Sequence, residues 1–237
     1  MSVVDAKDGA LITRIENVGY QPRSLAVSPD GKRVYIANSG NGTVSIVDTS
    51  TNKISGPRIH VRGEPFDLAF TPNRNEVYLA SAGGNSGRLL LQKVPGSRDF
   101  VHVGGQKIAP LTLTMGPDRN RLYSIGNQGG LGQDTVLSID LTDAKVTYSV
   151  APPIGLESLN ATAITPDGKY LYAAGVANTQ PPTSGLFMIE TATGQIAGQP
   201  IQVGYGAMSI AIAPDGRTAY TADLDVGTVT VIAIESQ

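Results

Sequence analysis

Cysteine is absent from the 237 residues, and that one gap removes disulfides, thiolate metal sites and cysteine nucleophiles together. No apolar run approaches the ~18 residues that a membrane-spanning helix needs. An excess of one charge is missing too. With 18 basic and 20 acidic residues the formal net charge is −2, so nothing electrostatic points to nucleic acid or to an anionic membrane surface. The opening Met1-Ser2-Val3-Val4-Asp5-Ala6-Lys7-Asp8 carries acids where a signal peptide needs a cationic and then an apolar stretch, so none is expected here. Charged residues make up 16% against 41% hydrophobic, too apolar a balance for disorder. Glycine and proline are what the chain has in plenty, 28 and 15, roughly 18% against a usual ~12%. Both are poor in helix interiors, and no segment carries a convincing helical period.

A repeat decides the fold class. Ser28-Pro29-Asp30-Gly31-Lys32 recurs as Thr71-Pro72-Asn73-Arg74-Asn75, Gly116-Pro117-Asp118-Arg119-Asn120, Thr165-Pro166-Asp167-Gly168-Lys169 and Ala213-Pro214-Asp215-Gly216-Arg217. Six residues after each proline stands a tyrosine: Tyr35, Tyr78, Tyr123, Tyr172 and Tyr220. Bulky residues precede each proline by two positions and all but one by four (Val27 and Leu25, Phe70 and Leu68, Met115 and Leu113, Ile164 and Thr162, Ile212 and Ile210). Small or polar residues stand between them, which is the period-2 alternation of a strand. Proline fixes φ, aspartate caps its own backbone and glycine takes positive φ, so each Pro-Asp-Gly reads as a tight turn. Three further short strands follow in each unit except the last, which has two.

Successive turn prolines are 43, 45, 49 and 48 residues apart, the spacing of four-stranded propeller blades. An all-β, five-bladed propeller of antiparallel four-stranded blades is therefore expected, as one domain over residues 1–237. Its blades are placed at 22–62, 65–104, 110–150, 159–204 and 207–237. The last unit reaches only its third strand, and residues 11–19 end in Val-Gly like the other fourth strands. They are expected to complete that blade and close the ring; a piece of a larger propeller is the structural alternative.

The unit resembles the YVTN β-propeller repeat. Tyr35-Ile36-Ala37-Asn38 and Tyr220-Thr221-Ala222-Asp223 come nearest its tetrad, supported by residues 44–48 (Val-Ser-Ile-Val-Asp) and the fourth-strand Val-Gly. Five units instead of the family's usual seven, and Arg74 and Arg119 in place of the turn glycine, are departures from it. The resemblance implies a bacterial or archaeal surface or periplasmic binding module, hence an extracytoplasmic location. It also implies a distant likeness to propeller lactonases, which open sugar lactones.

No catalytic constellation stands out. His60 and His102 precede the last valine of fourth strands, in a slot that holds Asn17, Ser149 and Gln202 elsewhere, as a solvated outer strand would allow. Asp30, Asp118, Asp167 and Asp215 read as turn formers, and the register tyrosines as packing between blades. Residues 126–132 read as a flexible glycine-rich loop. Neither a phosphate loop nor a Gly-x-Ser-x-Gly elbow occurs. No cofactor, metal or catalytic residue is assigned.

What remains is the face built by the loops that lead into each first strand and join the second strand to the third. Six positions before the turn prolines stand Arg23, Phe66, Leu111, Asn160 and Met208, expected to ring a channel mouth beside Tyr20 and Tyr205. Asp67 and Glu157, with Glu64, Asp223 and Asp225, are the carboxylates near it. This mixed ring suits a small polar–apolar ligand, a peptide or a glycan, or it plugs the channel. The expected function is a non-catalytic ligand- or protein-binding scaffold, taken as a monomeric domain or as a module of a longer exported protein. The alternative is a glycosidase- or lactonase-like hydrolase or lyase, whose paired carboxylates must lie ~5–5.5 or ~6.5–9.5 Å apart.

Overall fold

The computed structural model describes residues 1–71, 76–82, 89–94, 100–102, 108–118, 120–128, 134–177, 179 and 183–234. The turn at 72–75 with Arg74, and likewise Arg119 and residues 129–132, lie outside them. Two compact units make up the chain, Met1–His102 and Val103–Gln237. Among the described residues every regular element is a strand except one turn of 3-10 helix at Ser39–Asn41.

The first unit begins with a hairpin of β1 (Ser2–Val4) and β2 (Leu11–Arg14). Its first blade-like sheet holds β3 (Pro22–Val27), β4 (Arg33–Asn38) and β5 (Thr43–Asp48). The fourth position there is split between β6 (Lys53–Ile54) and β7 (Ile59–His60), which both pair with β5. The second sheet runs β8 (Glu64–Phe70), β9 (Val77–Ala82), β10 (Leu89–Val94) and β11 (Phe100–His102). In the other unit, β12 (Ile108–Met115), β13 (Arg121–Gln128), β14 (Asp134–Asp140) and β15 (Lys145–Val150) form the third sheet. The fourth holds β16 (Ser158–Ile164), β17 (Tyr170–Ala177), β18 (Thr183–Glu190) and β19 (Ile196–Val203). The fifth has only β20 (Ala207–Ile212), β21 (Thr218–Asp223) and β22 (Thr228–Ala233). All pairings are antiparallel, as in a propeller blade.

Two expectations need correcting. Among the described residues four blades are complete, not five, because β2 pairs with β1 and leaves β22 without a fourth strand. The cause is legible once the hairpin is seen. Ser2-Val3-Val4-Asp5 is itself a third-strand sequence, repeated 43 residues later as Ser45-Ile46-Val47-Asp48. The pair Val4↔Leu11 then recurs at the same offset as Val47↔Ile54. A six-residue connection closes far more readily than one spanning nearly the whole chain. Secondly, Gly126 and Asn127 belong to β13 and pair on both sides, and Gln128 pairs with Ile108, so these three residues are strand and not the expected loop.

The packing rule is the same between sheets inside each unit. Tyr35, Ala37 and Val44 on the first sheet meet Leu68, Leu79 and Phe70 of the second, with the Tyr35 and Phe70 rings edge-to-face at 5.2 Å. Tyr123, Ile125 and Val136 on the third meet Leu159, Leu171 and Ile164 of the fourth. Tyr172, Ala174 and Leu186 on the fourth meet Ile210, Ala219 and Ile212 of the fifth. A register tyrosine thus receives the bulky first-strand residues of the following sheet. On the other face of the first sheet, Ile15 and Val18, with Met1 and Val3, cover Val34, Ile36, Val47 and Ile54. First strands of neighbouring sheets also touch directly: the Thr114 hydroxyl donates to the Thr162 carbonyl at 3.0 Å.

The turns behave as expected. Gly31, Gly168 and Gly216 have φ of 69°, 74° and 72°, where a side chain would be strained. The hydroxyls of Ser28 and Thr165 donate to Asp30 and Asp167 at 2.6 Å each. Those hydroxyl bonds, and the amides of Lys32 and Lys169 after them, hold both carboxyls below the usual carboxylate range.

Two outcomes follow. Tyr35→Ala and Tyr172→Ala each lower the unfolding free energy by about 3 kcal/mol in urea titrations, whereas Tyr220→Ala costs under about 1 kcal/mol. A carboxyl depressed in the folded state stabilises above its unfolded pKa of about 3.9 and loses that contribution as pH falls through the folded value. Thermal unfolding is therefore flat from neutral pH down to about 5 and declines below about 4, less steeply in Asp30→Asn/Asp167→Asn.

Candidate binding site

The five residues placed six before the turn prolines share one backbone feature. The ladder between first and second strands slips by one residue in every sheet, and the slip falls on these positions. It lies between Pro22 and Ser24, Pro65 and Asp67, Pro110 and Thr112, Leu159 and Ala161, and Ala207 and Ser209. Arg23, Phe66, Leu111, Asn160 and Met208 are therefore the extra residues of five β-bulges. A bulge removes its residue from the ladder, bends the strand and re-aims the side chain. The alternation of small and bulky residues further along the first strands is broken at this one point.

In the first unit the consequence is a built contact. The Arg23 guanidinium sits 4.7 Å from the Phe66 ring centroid, a cation–π pair worth roughly 0.5–1 kcal/mol at an exposed site. One residue on, Ser24 Oγ donates to Asp67 Oδ1 at 2.5 Å, and the Leu68 amide donates to the same oxygen at 2.9 Å. Tyr20, three residues before Arg23 in the lead-in to β3, is exposed. Its carbonyl accepts from the Gly40 amide, and its ring lies so close over Gly40 that a Cβ there would meet Cδ1 at 2.3 Å. Gln21, at φ 49°, accepts from the amide and hydroxyl of Ser39, so the lead-in to β3 is tied to the 3-10 turn.

In the second unit Asn160 Nδ2 donates to the Ala207 carbonyl at 3.0 Å, and Met208 stands half-exposed next to that group. The side chain of Leu111 lies outside the described residues. Tyr205 is half-buried and Glu157 exposed, its amide donating to Val176. The structure thus brings Arg23 to Phe66 and Asn160 to the Met208 strand.

Behind the bulges lies a lock. Asn38, three residues after Tyr35, is fully buried and donates from Nδ2 to Val18 O at 3.2 Å and to Ser45 Oγ at 3.1 Å. Ser81 fills the same slot in the second sheet and donates to Arg62 O at 2.7 Å. Asp223 fills it in the fifth, accepting from Thr221, Thr228 and Thr230 at 2.7, 3.3 and 2.6 Å. Asp134 likewise accepts from the Leu159 amide at 2.9 Å. The carboxylates weighed as candidate acids and bases are thus in part strand ties. His60 is exposed on the outer strand β7, opposite Thr43, while the His102 side chain lies outside the described residues.

Sequence reasoning missed a gap of about 330 Å³ at the turn end of the third and fourth sheets, lined among others by Pro117, Arg121, Tyr123, Asp167 and Thr191. Arg121 Nη1 and the Tyr148 hydroxyl both donate to Thr191 O, at 2.6 and 3.1 Å. Burial, with Tyr148 close by, pushes the Tyr123 phenol well above its ordinary value. Its polar groups serve one another, which makes it a joint between sheets. Arg121, four residues after a turn proline in a register occupied by Arg33, was the available signal.

No family model matches the chain, and no curated protein does. Among solved structures it is similar to hydrazine synthase of Kuenenia stuttgartiensis, at 19% identity over 100% of this chain and 90% of that one, TM-score 0.73. It is similar to a candidate 6-phosphogluconolactonase of Bacteroides uniformis, at 18% identity over 99% and 73%, TM-score 0.73. A chain of a mitotic checkpoint complex matches at 16% identity over 99% and 69%, TM-score 0.74. At these identities the likeness is one of fold, and it supports a propeller-type fold.

The lock yields a prediction. Gly19, at φ 152°, leaves no room for a side chain, since a Cβ would lie 2.1 Å from Asn38 Cγ. Gly19→Ala destabilises the first unit by about 2–4 kcal/mol in chemical denaturation, and Gly9→Ala, whose Cβ meets nothing, by about 1 kcal/mol from backbone strain alone.

Proposed function

We propose that the chain is a non-catalytic binding or scaffold domain that engages a protein, peptide or glycan through its bulged residues and the loops beside them. The observation that carries this reading is the series of bulges. One backbone device, repeated in every sheet, presents five unlike side chains, while the rest of each first strand stays within the packing alternation. In the first unit the Arg23–Phe66 pair and exposed Tyr20 form a cationic–aromatic platform, the composition that dominates binding energy at interfaces. The YVTN-type resemblance supports the same reading, and with it a place outside the cytoplasm in a bacterial or archaeal cell. The lactonase-like alternative rests on likeness of fold, and fold alone assigns no chemistry. Asp67, Asp134 and Asp223 spend carboxylate oxygens on hydroxyls and amides that tie strands together, which weakens them as a reacting pair.

The test is a glycan and peptide array, with hits quantified by calorimetry. Arg23→Ala and Tyr20→Ala each weaken a genuine hit about tenfold or more, equivalent to about 1.4 kcal/mol, at unchanged thermal stability. Hits indifferent to both changes, and to Met208→Ala, overturn the assignment of the binding surface.

A further inference from the structure

Arg23 is the only charged side chain among the five bulged residues, and the way its guanidinium is held leaves it a definite capacity. The guanidinium carbon lies over the Phe66 ring at 4.7 Å from the centroid, so the ring covers one face of the plane. A guanidinium carries five N–H donors in a rigid fork, and contact with an aromatic face leaves the donors at its edge uncovered. Among the described residues none of those donors is used, since Arg23 makes neither a hydrogen bond nor an ion pair. Arg58 and Arg121, by contrast, donate to Asn17 O and Thr191 O at 2.5 and 2.6 Å. The carboxylate that follows Phe66 in the chain does not take the fork either. Asp67 Oδ1 accepts from the Ser24 hydroxyl at 2.5 Å and from the Leu68 amide at 2.9 Å, which ties it to the strands. Arg23 is exposed and Phe66 half-buried, so the fork is fixed from below and open above.

We propose that this fork receives a carboxylate, and that the ligand of the first unit's bulged end is a peptide presenting one, from an acidic side chain or from its own C-terminus. The inference rests on the reading of the bulged ends as the binding surface and names the group that surface selects. Geometry picks the group. Two parallel N–H donors match the two oxygens of a carboxylate, and an arginine already held by a ring loses less rotamer freedom on binding. Charge picks the number of such groups. The described segments joined at this end, 20–24, 38–42 and 61–67, carry Arg23 and Arg62 against Glu64 and Asp67, which balance. A polyanion such as an acidic glycan gains from a field that many cations build together, and these segments build none. A single carboxylate needs only the one fork.

The test is a library of short synthetic peptides in matched forms: with a free C-terminal carboxylate, with a C-terminal amide, and as the amide with every Asp and Glu replaced by Asn or Gln. Wild type, Arg23→Lys and Arg23→Gln are probed against all of them. The side chain is exposed, so both variants fold, and circular dichroism checks this. Wild-type hits weaken about tenfold or more when their carboxylate is neutralised. Arg23→Lys keeps the charge but not the fork and weakens the carboxylate form, and Arg23→Gln no longer distinguishes it from the neutral form. Hits that bind equally well when neutralised, yet still weaken in Arg23→Gln, overturn the carboxylate and leave the binding surface standing. Hits indifferent to Arg23→Gln overturn both. The peptide assignment is overturned if no carboxylate-bearing peptide binds wild type at millimolar concentration, or if a uronic-acid oligosaccharide assayed alongside displaces the hits and binds more tightly.

Discussion

A blade-like sheet has two apolar faces, and the chain can hold it only if both are covered. Everything else follows from how that cover is arranged. Tyr35, Tyr123 and Tyr172 each lie under the first strand of the next sheet in their unit, and the Tyr35–Phe70 edge-to-face contact is the clearest instance. Four-stranded sheets of this size bury too little alone, so the unit of stability is the pair of sheets, not the sheet. Hydrogen bonds between first strands, such as Ser24 to Asp67 and Asn160 to Ala207, fix the stagger of one sheet on another. The turn aspartates and the Asn38 lock keep strand ends from fraying where the faces meet.

Much of this was legible in the sequence because it is local or repeated. Alternation before each proline gave away the first strands, and the tyrosine register gave the contact surface. The glycines of the intact Pro-Asp-Gly turns announced positive φ. Closure was not legible. Residues 11–19 carry the hallmarks of a fourth strand, and they do occupy a fourth-strand position, but beside a third strand of their own. Only the offset between Ser2-Val3-Val4-Asp5 and Ser45-Ile46-Val47-Asp48 shows this, and it lies outside the turn motif that defines the repeat. A pattern tells a strand what kind of neighbour it needs, not which of several equivalent neighbours it takes.

The candidate site was half visible. Spacing put Arg23, Phe66, Leu111, Asn160 and Met208 in one register, yet alternation alone would have continued through them and turned each toward a packed face. The bulge is what breaks the alternation. It does so where the strand begins, before the small residues that allow neighbouring first strands to approach. Proline at position 22, 65 or 110, just before the slip, cannot donate to the ladder and so favours breaking it there, although Leu159 and Ala207 do the same without one.

The parts of a sheet are therefore not equally free to change. Its faces are committed to tyrosine and aliphatic packing, and a polar residue there would open the joint between sheets. Its turn end is committed to proline, aspartate and glycine, whose hydrogen bonds and backbone angles leave little choice. The bulged end has neither obligation, because a residue outside the ladder owes nothing to register and little to the core. Arginine, phenylalanine, leucine, asparagine and methionine all occupy that one slot within a single chain, while the position two before the proline stays bulky and apolar throughout. Variation confined to the slot that folding does not constrain is what a recognition surface on a rigid scaffold requires.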